Sequence, residues 1–422
     1  MNLSGMRTKS CDVVVCGGGT AGVFAGISAA KSGAKVILIE KNNILGGTIT
    51  SACVNFPGLF FAWGKQIISG PGWESIQRTI KLGGAVMPEI SFRPQRHWME
   101  QIKLNPFVYT AVLFEMCSEN GIELITNAMP SYITEHEEGV ELLVTDKSGL
   151  FVINAKKLID TTGDANVVKM AGYSVEKSKI QQPATLQNRI GGYNMAEVDI
   201  AALKEGFEKE NFPSHISAEM LVEFLQGRKI DLHILCRNAD TSEGRTLLEM
   251  NTYSLLMKIY KYFRTIKGLE NFTFEFTALE TGVRESNRIV GESIVTAEDY
   301  IEGKAYPDSV CYAFYPIDQH RAVGIKQQFH KENTVGQVPY GALIPHGSRH
   351  IIVAGRCISS DTLANSALRV QAVCMATGQA AGCGAAIAAQ KNIGVYRVEF
   401  GELKAALKKI GAIIPCSENK LF

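Results

Sequence analysis

The chain has 422 residues, of which 46% are hydrophobic and 20% charged, and its formal net charge is +1. Such a chain is globular, long enough for a large core and for two or three structural domains. The near-neutral balance excludes the strongly basic profile of a protein that binds nucleic acid or an anionic membrane.

The first residues, MNLSGMRTKSCD, lack the apolar stretch of a secretory leader. The ten cysteines show no CxxC pair and no zinc-type cluster, so no metal site is expected. A reducing, cytoplasmic location fits both features. Val13, Val14 and Val15 then form a short apolar run, the pattern of a buried parallel strand. Gly17-Gly18-Gly19-Thr20-Ala21-Gly22 follows it and matches G-x-G-x-x-G. Gly17 permits the tight turn, Gly19 lets backbone approach a pyrophosphate, and Gly22 lets the next helix pack close to the sheet. That helix offers unpaired N–H groups from Thr20 and Ala21 onward.

A strand, KVILIE, ends at Glu40, eighteen residues beyond Gly22, where the acidic ribose ligand of a dinucleotide site belongs. Lys41 follows it, and a second glycine pair, Gly46-Gly47-Thr48, comes a few residues later. With that pair the chain resembles the glutathione-reductase-like flavoproteins, in which such a segment lies along FAD. The resemblance implies FAD rather than NAD, and a Rossmann-like α/β fold. In disulfide reductases of that superfamily a cysteine pair comes next. Here Cys53 stands alone, and disulfide exchange needs two thiols, so Cys53 reads as a packing residue.

Downstream, GPGWESIQRTIK reads as a helix stopped by Gly83-Gly84, and NPFVYTAVLFEMCSE as another followed by a strand. The run from Gly139 to Asp160 reads as a hairpin turning at Asp146–Gly149, followed by a separate strand. It ends in TTGD. In the related flavoproteins this is the return to the cofactor, which makes Gly163 and Asp164 FAD contacts; Asp164 also suits the N-cap of the next helix. Residues 186–334 read as an inserted α+β cap or substrate domain. Residues 1–185 and 335–422 then form one discontinuous FAD domain. Within the cap, Arg284 and Arg288 are spaced four apart on an expected helical face, suited to an anionic substrate or to ion pairs with Glu285 and Glu292.

GVRESNRIVGE, YPIDQH, VPYGALIP and the block from Val353 to Gly382 resemble bacterial FAD-dependent oxidoreductases distantly related to fumarate-reductase-like flavoproteins. The likeness runs from Asp12 to about Ile414 and implies a cofactor more than a substrate. Many relatives carry Thr-His-Glu where this chain has Asp361-Thr362-Leu363, so no role passes from that histidine. His320, with an ordinary pKa suited to neutral pH, is the first candidate for proton handling, and His97 the second. Gly355, Arg369 and Val370 join the FAD set, because in the family the helix that begins there meets the flavin's pyrimidine edge, and Arg369 is also a catalytic candidate, a cation to stabilise the charge that reduction places there. That helix has small residues on three of its four i,i+4 rows, a thin rod that neighbours can grip closely. Its polar interruptions disfavour a membrane span. The expected activity is hydride transfer between flavin and a small polar organic molecule. Alternatives are a fumarate-reductase-like C=C reductase and an electron-transfer subunit working with a partner. Nothing in the pattern picks out an electron acceptor or an oligomeric state.

Overall fold

The computed structural model describes residues 6–90, 94–321 and 323–416. Met1 to Gly5, which begin the non-apolar start, lie outside them. The central sheet is built on β1 (Arg7–Cys16), whose last four residues are buried. α1 (Thr20–Lys31) crosses from β1 to β2 (Val36–Glu40), which pairs parallel to β1 with Val13 opposite Val36. Every residue of β2 is buried, as parallel strands covered on both faces require. After α2 (Pro71–Lys81) and α3 (Pro106–Glu119), β3 (Glu123–Thr126) adds in parallel beside β2. β4 (Met129–Glu135) and β5 (Val140–Asp146) form an antiparallel meander that leads into β6 (Gly149–Asp160).

β6 corrects one expectation. The second arm of the hairpin and the strand that follows are one continuous twelve-residue strand. Its first part pairs antiparallel with β5, and from Phe151 onward it pairs parallel with β1, from Phe151 opposite Arg7 to Asp160 opposite Cys16. Beyond α4 (Asn166–Met170) the chain runs through a largely helical stretch that includes α5 (Ser242–Phe263), and then β7 (Ile317–His320). β8 (Ile351–Val353) returns to the sheet beside the end of β6. The sheet order is β3-β2-β1-β6-β5-β4, with β8 also on β6.

Two clusters of buried residues form. The larger surrounds the sheet. The smaller runs from Ala184 to Val283 and includes Phe263 and Phe272. Tyr300, Val310 and Ile317 belong to the larger cluster, so the 186–334 segment contributes to both. A second correction concerns Arg284 and Arg288. They share no helix: Asn287–Ile289 is a short strand, and the helix in this region is Ala297–Glu302.

The small-residue run is two helices, α6 (Thr362–Leu368) and α7 (Gln371–Lys391). In α7 all but the last two residues are buried. It is the helix among the described residues whose length and apolar character would suffice to cross a membrane, and that apolar window lies wholly inside the fold. α7 lies along α1. A methyl group at Gly378 would collide with the Ala21 carbonyl oxygen, and one at Gly382 with that of Ala25. Glycine in a helix costs about 1 kcal/mol; backbone-to-backbone contact is what offsets it here. The bulkier row of α7 faces the other way. There the Gln379 amide accepts from Gly72 N–H at 2.9 Å and donates to the Ser69 carbonyl at 3.0 Å, holding the start of α2.

Candidate active site

The turn after β1 is shaped by its glycines. Gly17 has φ +108°, and a Cβ there would lie 2.6 Å from the Thr161 carbonyl oxygen. A methyl at Gly22 would collide with the Gly17 carbonyl, so α1 starts hard against the strand. Gly19 differs: a Cβ there would meet nothing nearer than Gly47 Cα at 3.8 Å. Its backbone borders open space at the start of α1, where the first helical N–H groups have no intrahelical acceptor. The second glycine pair is fastened to this turn. Gly46 N–H donates to the Gly18 carbonyl at 2.9 Å, and the Thr20 hydroxyl donates to the Gly46 carbonyl at 3.1 Å. Gly46 and Gly47 have φ of +100° and +55°, the left-handed region that glycine enters freely. Thr48 follows, half-buried.

Glu40, at the end of β2, accepts from Gly18 N–H at 2.6 Å and Asn42 N–H at 2.8 Å. Burial raises its carboxyl, and these two donors oppose that shift. Lys41 is exposed and pairs with Glu280 at 3.1 Å. Cys53 is half-buried in left-handed backbone, and its thiol lies 3.2 Å from the Thr50 carbonyl. Burial raises its pKa, so it is no activated thiolate.

The return loop holds Gly163 and Asp164. The Arg356 guanidinium donates to the Gly163 carbonyl at 2.7 Å and pairs with Asp164 at 2.6 Å, and Ser286 also donates to Asp164 at 2.6 Å. Asp164 does not cap α4. Asp160 does: its carboxylate accepts from Val167 and Val168 N–H at 2.9 and 3.0 Å. It lies fully buried at the end of β6, directly beneath the α4 amides. Gly355, with φ +87°, comes just after β8, and its N–H donates to the Thr377 hydroxyl of α7 at 3.2 Å.

Arg369 and Val370 stand at the break between α6 and α7, Arg369 as the C-cap of one and Val370 as the N-cap of the other. A cation suits the C-terminus of α6. Asp361 caps the other end of α6, accepting from Ala364 N–H at 2.7 Å. Val370 is pressed against Gly58, where a methyl group would collide with it, and Ala372 N–H donates to the Pro57 carbonyl at 2.7 Å. Arg369 donates to the Gln182 side-chain oxygen at 3.1 Å and the Asp318 carbonyl at 3.4 Å. Its Nε is enclosed and unpaired, as is Oε1 of Gln371, the first residue of α7.

His320 lies in the same place. Its Nε2 is 3.0 Å from the Asp318 carboxylate, its Nδ1 is 3.2 Å from His233 Nε2, and its backbone N–H donates to Gln182 at 3.0 Å. Removal from water pushes the imidazole down to about 4; Arg284 and Arg369 add to this and Asp318 opposes it. Burial would raise the Asp318 carboxyl, but His320, Gln327 and Arg369 outweigh it and hold it below the usual range. Arg284 donates to the Pro183 carbonyl at 2.6 Å and the Thr185 hydroxyl at 2.9 Å. Burial and the nearby Arg369 charge lower it to about 9. Arg288 instead pairs with Glu285 at 3.2 Å and donates to the Ser360 carbonyl at 2.9 Å, while Glu292 accepts from Gly347 N–H at 2.8 Å.

His97 borders this group through Tyr315, which faces Arg369. Its buried ring packs on Tyr315, with centroids 5.0 Å apart, and lines a narrow cleft with Leu59, Phe314 and His330. The sequence reading did not single out Gln182, His233 or Asp318. Asp318 had a signal: Asp-x-His on a strand puts both side chains on one face. Gln182 and His233 had none, since only folding brings their segments to β7.

The model of the family described as FAD dependent oxidoreductase matches residues 12–407. A fumarate reductase (cytochrome) from Shewanella frigidimarina is 53% identical over 55 residues, which are 13% of this chain and 9% of that protein. The chain thus matches less than a tenth of that curated relative's length. Among solved structures, a geranylgeranyl bacteriochlorophyll reductase-like protein from Thermoplasma acidophilum aligns over 96% of this chain and 83% of its own, at 13% identity and a TM-score of 0.45. The p-nitrophenol 4-monooxygenase of Pseudomonas putida aligns over 95% and 84%, at 12% identity and a TM-score of 0.43. Likeness at that level bears on neither reaction nor substrate.

Proposed function

The chain belongs to the family of FAD-dependent oxidoreductases, and from that premise we propose a flavoenzyme of the glutathione-reductase-like fold that acts on a small polar organic substrate. FAD, when bound, supplies the hydride chemistry. Gly17, Gly19, Thr20, Ala21 and Gly22 would hold its pyrophosphate, Glu40 and Lys41 its adenosine ribose end, and Gly46, Gly47 and Thr48 the stretch between. Gly163, Asp164 and Gly355 would line the middle of the cofactor, and Arg369 and Val370 the pyrimidine edge. The residues suit that group. Gly19 leaves open the space a side chain would fill. At the α6–α7 break, an enclosed unpaired donor, Arg369 Nε, and an enclosed unpaired acceptor, Gln371 Oε1, stand where a polar ring edge would satisfy both.

The observation that carries the assignment of the reacting end is this junction together with the Asp318–His320 contact beside it. A cation at the pyrimidine edge stabilises the negative charge that builds there on reduction. His320 would exchange the substrate proton, held in position by Asp318. The cap would be the segment around the second buried cluster. The test is a panel of small polar substrates, scored anaerobically by bleaching of the bound flavin. At least one member should bleach it. Arg369→Ala should retain less FAD or lower its potential, and unchanged binding and potential would remove Arg369 from the site. The short likeness to a fumarate reductase favours a second reading, reduction of a C=C bond. Reoxidation of the reduced enzyme by an activated alkene, and not by air, would select it.

A further inference from the structure

The cluster around β7 holds more positive charge and fewer partners than a closed core. Two guanidiniums, Arg284 and Arg369, reach the Gln182–Thr185 segment, and the carboxylate shared between them is Asp318. Of the other charges nearby, Glu285 pairs with Arg288 and Arg356 with Asp164, while Asp231, which faces both Arg284 and His233, holds Lys229 through Oδ2 and keeps Oδ1 enclosed without a partner. His215 faces His233 and Tyr315 faces Arg369. The Gln182 side chain is 6% exposed, and its Nε2 is enclosed without a partner. A buried amide donor left unpaired beside two cations marks a place for an acceptor with negative charge.

The histidines add a second constraint. The Arg321 carbonyl oxygen lies 2.7 Å from His233 Nδ1, and a carbonyl only accepts, so that nitrogen carries a proton. The row then continues through His233 Nε2 to His320 Nδ1 at 3.2 Å, and through His320 Nε2 to Asp318 Oδ2 at 3.0 Å. Each of these two contacts needs a proton of its own. Two neutral imidazoles beside a carboxylate supply one proton fewer than the row can use. At neutral pH the missing proton stays away because the surroundings are dry and positively charged. An anion arriving between the arginines reverses that balance.

We propose that this cluster is a substrate subsite for an organic anion, a carboxylate, held by the Arg284 guanidinium and the Gln182 amide, and that its entry draws one proton onto the His233–His320–Asp318 row. The inference rests on the reading of the site given above. The balance is simple: one proton leaves the solvent for each anion bound, and no electrons move. The half-buried His233, beside exposed Arg321, is the solvent end of the row, and Asp318 is its inner end. The anion and its proton together add no net charge to a poorly hydrated site. They also leave a loaded proton donor next to the bound substrate.

The test uses the FAD-loaded enzyme and acetate, oxalate and succinate as probes, with neutral acetamide as control. Binding is read from the perturbation of flavin absorbance, and proton uptake from a pH-indicator dye. At least one carboxylate should bind while acetamide does not. Its affinity should rise about tenfold per unit fall in pH below neutrality, with one proton taken up per anion. His320→Gln should still bind the anion but lose the pH slope and the uptake. Arg284→Lys, which keeps the charge but not the fork, should weaken binding about tenfold at every pH. Overturning results are carboxylates that perturb the flavin no more than acetamide, binding without pH dependence, or a slope that survives in His320→Gln. Anion binding with the expected slope, in an enzyme that no substrate reduces, would instead sink the proposed reaction and leave the subsite standing.

Discussion

The α1–α7 seam and the polar cluster at β7 are built in opposite ways. In the seam the contact atoms are backbone: Gly378 and Gly382 lie against the Ala21 and Ala25 carbonyls, with no room for one more carbon. In the cluster the contact atoms are the ends of long side chains, and two enclosed groups, Gln182 Nε2 and Arg369 Nε, are left over. The seam is closed by backbone contact, whereas the cluster is joined through side-chain ends that could turn toward a ligand. On the proposed reading, rigid packing lies under the glycine turn, and spare hydrogen-bonding groups lie where substrate would arrive. Preorganised groups are most useful to a reaction in just such a held but unsatisfied state.

The largest effect that would break this contrast is steric. Gly382→Ala should destabilise the protein by about 2–3 kcal/mol, because the obstructing Ala25 carbonyl cannot swing aside. Gly384→Ala, whose methyl would meet the Tyr340 hydroxyl, should cost only about 1 kcal/mol, since a side-chain end can shift and alanine favours the helix. Denaturant unfolding of both variants measures the difference; equal losses would mean that the seam is no tighter on one side than the other.

A second effect concerns pH and sharpens the cluster side. His320 is held near 4 in the fold against about 6.5 when unfolded. Between those values the unfolded chain binds the extra proton and the native chain does not, so stability falls as pH falls through that window. Thermal melts of the apoprotein should show this fall, and His320→Gln should flatten it. An unaltered slope in the variant would assign the effect to another group, His330 being the next, at about 3.

The smallest effect is at Cys53. Its raised pKa and its contact with the Thr50 carbonyl describe a neutral packing thiol. Cys53→Ser should leave flavin binding and reduction by substrate within about twofold of the unaltered enzyme, since surface-near substitutions of this size change little. A loss of reduction would return the cysteine to the chemistry.

What could be read in advance follows the range of the forces involved. The nucleotide turn is local: strand, glycine turn, helix and Glu40 occupy one continuous stretch, and each residue type is required by a φ value, a close approach or a nearby acid. The second glycine pair and the small faces of α7 were legible for the same reason, since steric exclusion leaves a trace in the residue that suffers it. Arg284 and Arg288 show the limit. Their spacing of four fits a helix, but Arg284 precedes a short strand and Arg288 lies within it, opposite Glu176, and their charges go to different partners. Spacing alone could not reveal that, because charged residues tolerate either backbone.

The sequence by itself determined the glycine turn after β1, the FAD of the family and the need for a thin helix that neighbours grip closely. Only the tertiary structure decided that this helix starts after a break at Arg369. The same holds for Asp160, not Asp164, capping α4, and for Gln182, His233, Arg284, Asp318 and Arg369 gathering in one cluster. The reason is physical. Backbone sterics act between neighbours in the chain, whereas hydrogen bonds and charges act between whatever the fold brings within reach.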